Sequence, residues 1–163
     1  MPVAAIDIGT NSTNLLVVDD DGSTRTRIVS VTRLGAGVDR TGRLDDEAIA
    51  RTLERITSYA DDISKVGGSI PLRISASSAC RDATNRDDFF DRVASIIGVR
   101  PELISGVEEG RLSYLGATGG LRTDHMGHVV IDIGGGSTEF AFGDTEFRLS
   151  RSIDVGAVRM TER

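Results

Sequence analysis

The chain has 163 residues, with 19 Lys plus Arg against 25 Asp plus Glu, for a net charge of −6. That length supports one domain, or two small lobes sharing a cleft. Apolar residues make up 39% and aromatics 4%, so a core must be built from Ile, Val, Leu and Ala, and disordered or collagen-like chains are excluded. Cys80 is the single cysteine, which excludes an internal disulfide framework and a cysteine-based metal cluster. An acid, Asp7, interrupts the N-terminus before a signal-peptide core forms, and no run approaches about 18 apolar residues. The expectation is a soluble, cytoplasmic protein with no membrane partner. The acidic balance also speaks against nucleic acid as a partner while permitting a local phosphate site.

In chain order, an apolar run ending in Asp7-Ile8 meets the turn Gly9 to Ser12 and returns through Leu15 to Val18. After Asp20-Asp21-Gly22 a third apolar run covers 27–31. The spacing predicts a three-stranded antiparallel unit. Ile49, Leu53, Ile56, Ala60 and Ile63 then recur at helical spacing behind an acidic first turn, up to Gly67-Gly68. A strand is predicted at 71–76. Asn85 is the expected N-cap of a helix carrying Phe89, Phe90, Val93, Ile96 and Ile97 to Gly98. A further strand is expected at 102–104. Ser105 and Glu108 have capping-box spacing and open a short helix through Leu112 and Leu115 to Gly119-Gly120.

The chain then repeats its opening. Residues 5–13 and 130–138 agree at six of nine positions, 125 residues apart, and both are followed by a second and a third apolar run. Shared turn and shared strand pattern argue for duplication rather than coincidence. The expected order is βββαβαβα followed by βββ. Residues 1–120 form a first lobe, 121–127 a boundary, and 128–163 the start of a second lobe. Its repeat partner runs on for more than 80 residues past the third strand. The second copy is thus expected to be incomplete, with its apolar strand faces covered by a partner chain or by another copy in a homo-oligomer.

Turns of Gly, Ser and Thr present backbone N–H groups without obstruction, the geometry that wraps a phosphate. Thr10, Asn11 and Ser12 form one candidate cradle, and Gly134, Gly135, Gly136 and Ser137 the other. Asp7 and Asp132 end the strands that lead into these turns, where a carboxylate can hold a divalent cation through water, and Glu139 can return to the same ion. The plainer alternative is a pair of tight turns whose Asp and Ser side chains cap their own backbone. Neither turn is a P-loop, since no Gly-Lys-Ser/Thr follows.

Six segments together resemble a known family: Asp7-Ile-Gly-Thr-Asn-Ser12, Arg33-Leu-Gly-Ala-Gly-Val-Asp39, Ser77-Ser-Ala-Cys-Arg-Asp-Ala83, Ile104-Ser-Gly-Val-Glu-Glu109, Asp132-Ile-Gly-Gly-Gly-Ser-Thr-Glu139 and Gly156-Ala-Val-Arg-Met-Thr-Glu162. In order, they look like the signatures of the exopolyphosphatase and guanosine pentaphosphate phosphohydrolase family. The resemblance implies an α/β chain with a duplicated ribonuclease H-like fold, the actin-like ATPase superfold, and an active site between lobes. It implies hydrolysis of a terminal phosphoanhydride of polyphosphate or guanosine pentaphosphate, with Mg²⁺. By the same resemblance Glu109 is the base that activates water, and Arg81 binds the substrate phosphates. The residues support the choice of Glu109 over its neighbour. Glu108 belongs to the capping box, whereas Glu109 points about 100° further round the helix.

Two other classes share parts of this pattern. A phosphotransferase of the same superfamily would keep the glycine hairpins without needing Glu109 and Arg81. A non-catalytic binder of polyphosphate or of guanosine tetra- or pentaphosphate would keep the cradle. Cys80 has no histidine close in sequence and reads as a small buried filler. His125 and His128 lack metal-ligand spacing and read as surface or hinge residues.

Overall fold

The computed structural model describes residues 1–121 and 127–162. Two compact units divide the chain, Met1–Leu103 and Ile104–Arg163. The boundary expected at 121–127 falls largely on 122–126, which lie outside the described residues, as does His125.

The first unit is built on β1 (Val3–Ile8), β2 (Ser12–Val18), β3 (Thr24–Val31), β4 (Leu72–Ala76) and β5 (Glu102–Leu103), in sheet order β3-β2-β1-β4-β5. The first three strands pair antiparallel, and β4 joins β1 in parallel. The helices are α1 (Val38–Thr41), α2 (Asp46–Ser64), α3 (Ser78–Asp82) and α4 (Arg86–Ile97). Strand alternation decides the layers: Ala4, Ile6 and Ile8 are buried with Leu15, Val17 and Ile74, in one cluster with Ile49, Leu53, Ile56, Phe89, Phe90 and Val93 of α2 and α4. Tyr59 is fully buried because its hydroxyl donates to Thr13 O at 2.7 Å. Asp7 alternates to the opposite, open face.

Two local expectations change. Asp45, expected as part of the acidic first turn, is the N-cap of α2 and accepts from the amides of Glu47 and Ala48. Asn85 precedes α4 but makes no cap bond. Its amide group instead grips Leu44 at 2.8 and 3.0 Å, pinning the approach to α2.

The second unit holds α5 (Gly106–Thr118), β6 (His128–Ile133), β7 (Thr138–Gly143), β8 (Phe147–Ile153) and α6 (Ala157–Thr161). The strands form an antiparallel sheet in the order β6-β7-β8. Helix α5, placed by sequence with the first lobe, packs on this sheet. Its contact face is not the leucines: Leu115 is 45% exposed, while Gly110 and Tyr114 are buried. A Cβ on Gly110 would lie 2.8 Å from that of Ser150, so only glycine lets the helix come this close. On the opposite face Val129, Ile131, Ile133, Phe140, Phe142 and Leu149 are exposed. Among the described residues no helix is long and apolar enough to cross a membrane.

The duplication extends to hydrogen bonds. Gly9 N–H donates to Ser12 O at 2.9 Å, and Gly134 N–H to Ser137 O at 2.9 Å. The irregularity at Val17/Val18 recurs at Phe142/Gly143, again 125 residues on. Asp7 faces Asn14 across the first hairpin, and Asp132 faces Glu139 across the second. At this pair the copies differ: an amide in the first is an acid in the second.

Candidate active site

Each glycine turn is held from behind by the segment that follows its third strand. In the second unit the carbonyls of Gly134 and Gly135 accept from Ala157 and Val158 at 3.0 and 2.8 Å. Gly136 O accepts from Arg159 Nε at 2.8 Å. In a trans peptide the N–H points opposite to the C=O. The amides of Gly135, Gly136 and Ser137 therefore face away from α6. Those of Gly135 and Gly136 donate to nothing among the described residues. Outward amides held in this way can accept an anion with little reorganisation. Gly156 makes the clamp possible, since a Cβ there would lie 2.4 Å from Gly135 O.

The first unit repeats the arrangement. Thr10 O accepts from Gly35 at 2.8 Å, and Asn11 O from Thr32 and Arg33 at 3.1 and 2.9 Å. Thr32, Arg33 and Gly35 thus hold the first turn from behind. Arg33 holds a left-handed backbone there, φ 52°, a strained state for a non-glycine residue.

Around the second turn the expected acids converge. Glu139 is buried at 1% exposure and accepts from Ser152 Oγ at 2.7 Å and from Ser137. Burial raises its pKa above the usual value, opposed by the two serine bonds and reinforced by the charges of Glu109 and Asp132. Ser113 Oγ donates to Asp132 Oδ2. Glu109 is half-buried on α5 beside Gly110. Glu108 turns elsewhere: its carboxylate takes both arms of Arg111 at 2.7 and 2.8 Å, while Ser105 Oγ accepts its backbone amide. Glu109, Asp132, Glu139 and the turn 134–137 form one group.

Thr10, Asn11, Ser12, Asp7 and Arg81 gather at one end of the first sheet. Asp7 accepts from Asn14 at 3.3 Å and Ser75 at 3.2 Å. Ser75 and Ala76 end β4, and α3, which begins after Ser77, carries Arg81. Asp87, close to Arg81 in sequence, is ion-paired with Arg100 at 2.9 Å.

Sequence reasoning missed the residues that act through others. Ser113, Ser150 and Ser152 look generic, and only the sheet register brings Ser150 and Ser152 opposite Ala141 and Glu139. Gly156 and Arg159 lay inside a recognised motif but act on backbone carbonyls, which carry no sequence signature.

Glu139 makes stability depend on pH. With its folded pKa raised, its favourable contribution is complete below the usual value near 4.5 and is lost as pH rises through the folded value. Glu139→Gln is therefore expected to raise the melting temperature at neutral pH, with the gain vanishing near pH 4.5. A gain independent of pH would refute the assignment. Cys80 is fully buried and its thiol is pushed up to about 12, chiefly by burial and against the weaker pull of Arg86 and Arg81. Alkylation by iodoacetamide at neutral pH is expected only after unfolding; labelling at native-state rates would contradict this.

The two sheets and their paired turns define a duplicated ribonuclease H-like fold of the actin-like ATPase type. The chain belongs to the Ppx/GppA phosphatase family, whose sequence profile matches residues 17–163. It is 45% identical over 176 aligned positions to exopolyphosphatase 2 of Mycobacterium tuberculosis, covering 99% of this chain and 54% of that one. Among solved structures it resembles an exopolyphosphatase from Cytophaga hutchinsonii, with a TM-score of 0.92 at 26% identity, covering 99% of this chain and 53% of that one. The Aquifex aeolicus family member superposes at a TM-score of 0.83 with 34% identity, over 99% and 54% of the two chains. The chain thus spans about half the length of these relatives.

Among the described residues, no three His, Cys, Asp or Glu side chains are grouped so as to hold a metal ion. Asp132 and Glu139 are cross-strand neighbours, each already accepting a serine hydroxyl. That donor set fits Mg²⁺ bound through water and substrate oxygens, which needs only one or two carboxylates. It does not fit an all-protein cage.

Proposed function

We propose that the chain carries the catalytic residues of a phosphoanhydride hydrolase that releases terminal phosphate from inorganic polyphosphate, guanosine pentaphosphate or both. The observation that carries this reading is the outward-facing Gly135 and Gly136 amides beside Glu109, Asp132 and Glu139. Phosphoryl transfer asks little covalent chemistry of a protein beyond a held phosphate, neutralised charge and a positioned water. The nest amides and Ser137 bind oxygens of the terminal phosphates. Within the first unit, Thr10, Asn11 and Ser12 are further candidate phosphate contacts, and Arg81 carries a guanidinium fork. Glu109 accepts a proton from water as its oxygen bonds to the terminal phosphorus. The bridging P–O bond then breaks, and the shortened chain leaves with the electron pair. Asp132 and Glu139, with Asp7 as a further candidate, would hold Mg²⁺, which would supply charge neutralisation on the phosphate oxygens.

The test is phosphate release from long-chain polyphosphate and from guanosine pentaphosphate, with Mg²⁺ and with a chelator. Release from at least one substrate, lost on chelation, is expected. No release from either substrate under both conditions would refute the reading.

A further inference from the structure

Helix α5 lies across the second sheet, and its small residues mark the crossing. Gly106 lies against Ser152 of β8. A Cβ on Gly110 would stand 2.8 Å from Ser150 of β8 and 3.4 Å from Glu139 of β7. Ser113 comes next on this face and meets Asp132 of β6. The helix thus reaches β8, β7 and β6 in turn. Glu109 and Ser113 are four residues apart, one above the other on the same helix. The assigned base and the serine on Asp132 therefore belong to one rigid element.

The Ser113 hydroxyl forgoes the bond that helical serines and threonines commonly make, to the carbonyl four residues back. Thr118 of the same helix makes it, to Tyr114 O at 2.7 Å, as do Thr52 and Thr57 of α2 to Ala48 O and Leu53 O. Ser113 instead gives its one proton to Asp132 Oδ2, 19 residues on. The carboxylate's other oxygen, Oδ1, accepts no hydrogen bond among the described residues and is not sealed from solvent. Asp132 is thus tethered through one oxygen and open at the other.

The first copy makes the same bond from a different element. Ser75 of β4 donates to Asp7 Oδ1 at 3.2 Å. Each strand-end aspartate of the duplication therefore carries one serine hydroxyl, supplied by a parallel strand in one unit and by a helix in the other. What the two units share is the held carboxylate, not the local packing around it.

We propose that Ser113 is a positioning residue for the divalent cation: by holding Asp132 Oδ2 it leaves Oδ1 as the oxygen offered to the ion, and it ties that carboxylate to the helix carrying Glu109. The proposal rests on Asp132 holding the cation in the proposed function.

The test follows Mn²⁺ binding to the chain through the paramagnetic resonance signal of the free ion, Mn²⁺ sharing the preference of Mg²⁺ for six oxygen ligands. Ser113→Ala is expected to weaken Mn²⁺ affinity by about 10–100-fold, the usual worth of a hydrogen bond that orients a metal ligand. Ser113→Thr, which keeps the hydroxyl, is expected to bind as the unmodified chain does. Ser113→Val, of the same shape without the hydroxyl, is expected to match Ser113→Ala. Tyr114→Phe removes a bond from the next residue of the helix to Asp144 O at 3.0 Å. It is expected to lower the melting temperature and leave Mn²⁺ affinity unchanged. If the Thr and Val variants bind Mn²⁺ equally, or Tyr114→Phe weakens binding as much as Ser113→Ala, the proposal is refuted.

Phosphate release separates this role from the hydrolase reading. Ser113→Ala is expected to need about 10–100-fold more Mg²⁺ for half its maximal rate and to regain most of kcat when Mg²⁺ saturates. An unchanged Mg²⁺ dependence would refute the role of Ser113 and leave the hydrolase reading in place. Mn²⁺ affinity that follows the hydroxyl, in a chain that releases no phosphate, would support that role and overturn the hydrolase reading. If the unmodified chain binds no Mn²⁺, or Asp132→Asn binds it as tightly, the cation site and the role of Ser113 fail together.

Discussion

Glu109→Gln is expected to lower phosphate release by on order of 10²–10⁴-fold, the usual worth of a positioned general base, with little effect on substrate affinity. The substitution is nearly isosteric, and the helix that carries it is fixed by Ser105 at its N-cap and by Gly110 against β8. The loss should therefore appear in kcat. Glu108→Gln is the control: its carboxylate is committed to Arg111, so only the minor cost of a partly exposed ion pair is expected. If the two variants are equally active, Glu109 is not the base. If Glu108→Gln alone abolishes release, the roles of the pair are reversed.

The second large effect is expected at Gly156. In Gly156→Val the first side-chain atom would stand 2.4 Å from Gly135 O and 2.5 Å from Gly136 N. The turn and α6 must then separate. Overpacking of this kind costs roughly 1–3 kcal/mol, and the separation frees the three carbonyls that hold the nest amides outward. Both a lower melting temperature and a rise in KM for polyphosphate are expected, because the cradle binds through backbone. Gly42→Ala is the comparison: no atom lies within 4 Å of its Cβ, although its φ of 65° disfavours a side chain. It should destabilise the fold and leave KM unchanged. A Gly156→Val protein with unaltered KM would show that α6 does not set the nest.

Much of this was legible in the sequence where function and folding use the same residues. The two turns were visible because Gly, Ser and Thr cluster between apolar runs. The duplicated strands followed because register fixes which side chains share a face. The helices α2 and α4 were visible from their apolar spacing. What stayed hidden depends on contacts distant in sequence. Asn85 looks like a cap and instead bonds Leu44, 41 residues earlier. The contact face of α5 is made of Gly106, Gly110 and Tyr114, so a search for large apolar residues selects Leu112 and Leu115 in their place. Short α3 and α6 have no amphipathic period to read, being five residues each. The acids around the second turn stand out in the sequence, but the serines that bond them do not. Ser113 reaches Asp132 across 19 residues, and Ser152 reaches Glu139 across 13.

The comparison of the two copies sharpens the division of labour. Both turns are clamped alike, so both are built to present amides. Only the second has a buried acid opposite its strand-end aspartate, where the first has Asn14. In the proposed function, therefore, the acids for chemistry belong to the second turn alone.

The claim at the centre is that the clamped glycine turns hold phosphate through their backbone amides. Its most direct test is a ¹H–¹⁵N titration of the 17.4 kDa chain with tripolyphosphate and Mg²⁺. The Gly135 and Gly136 amide resonances are expected to shift downfield and to be among the most displaced. Binding that leaves both resonances unmoved would contradict the claim.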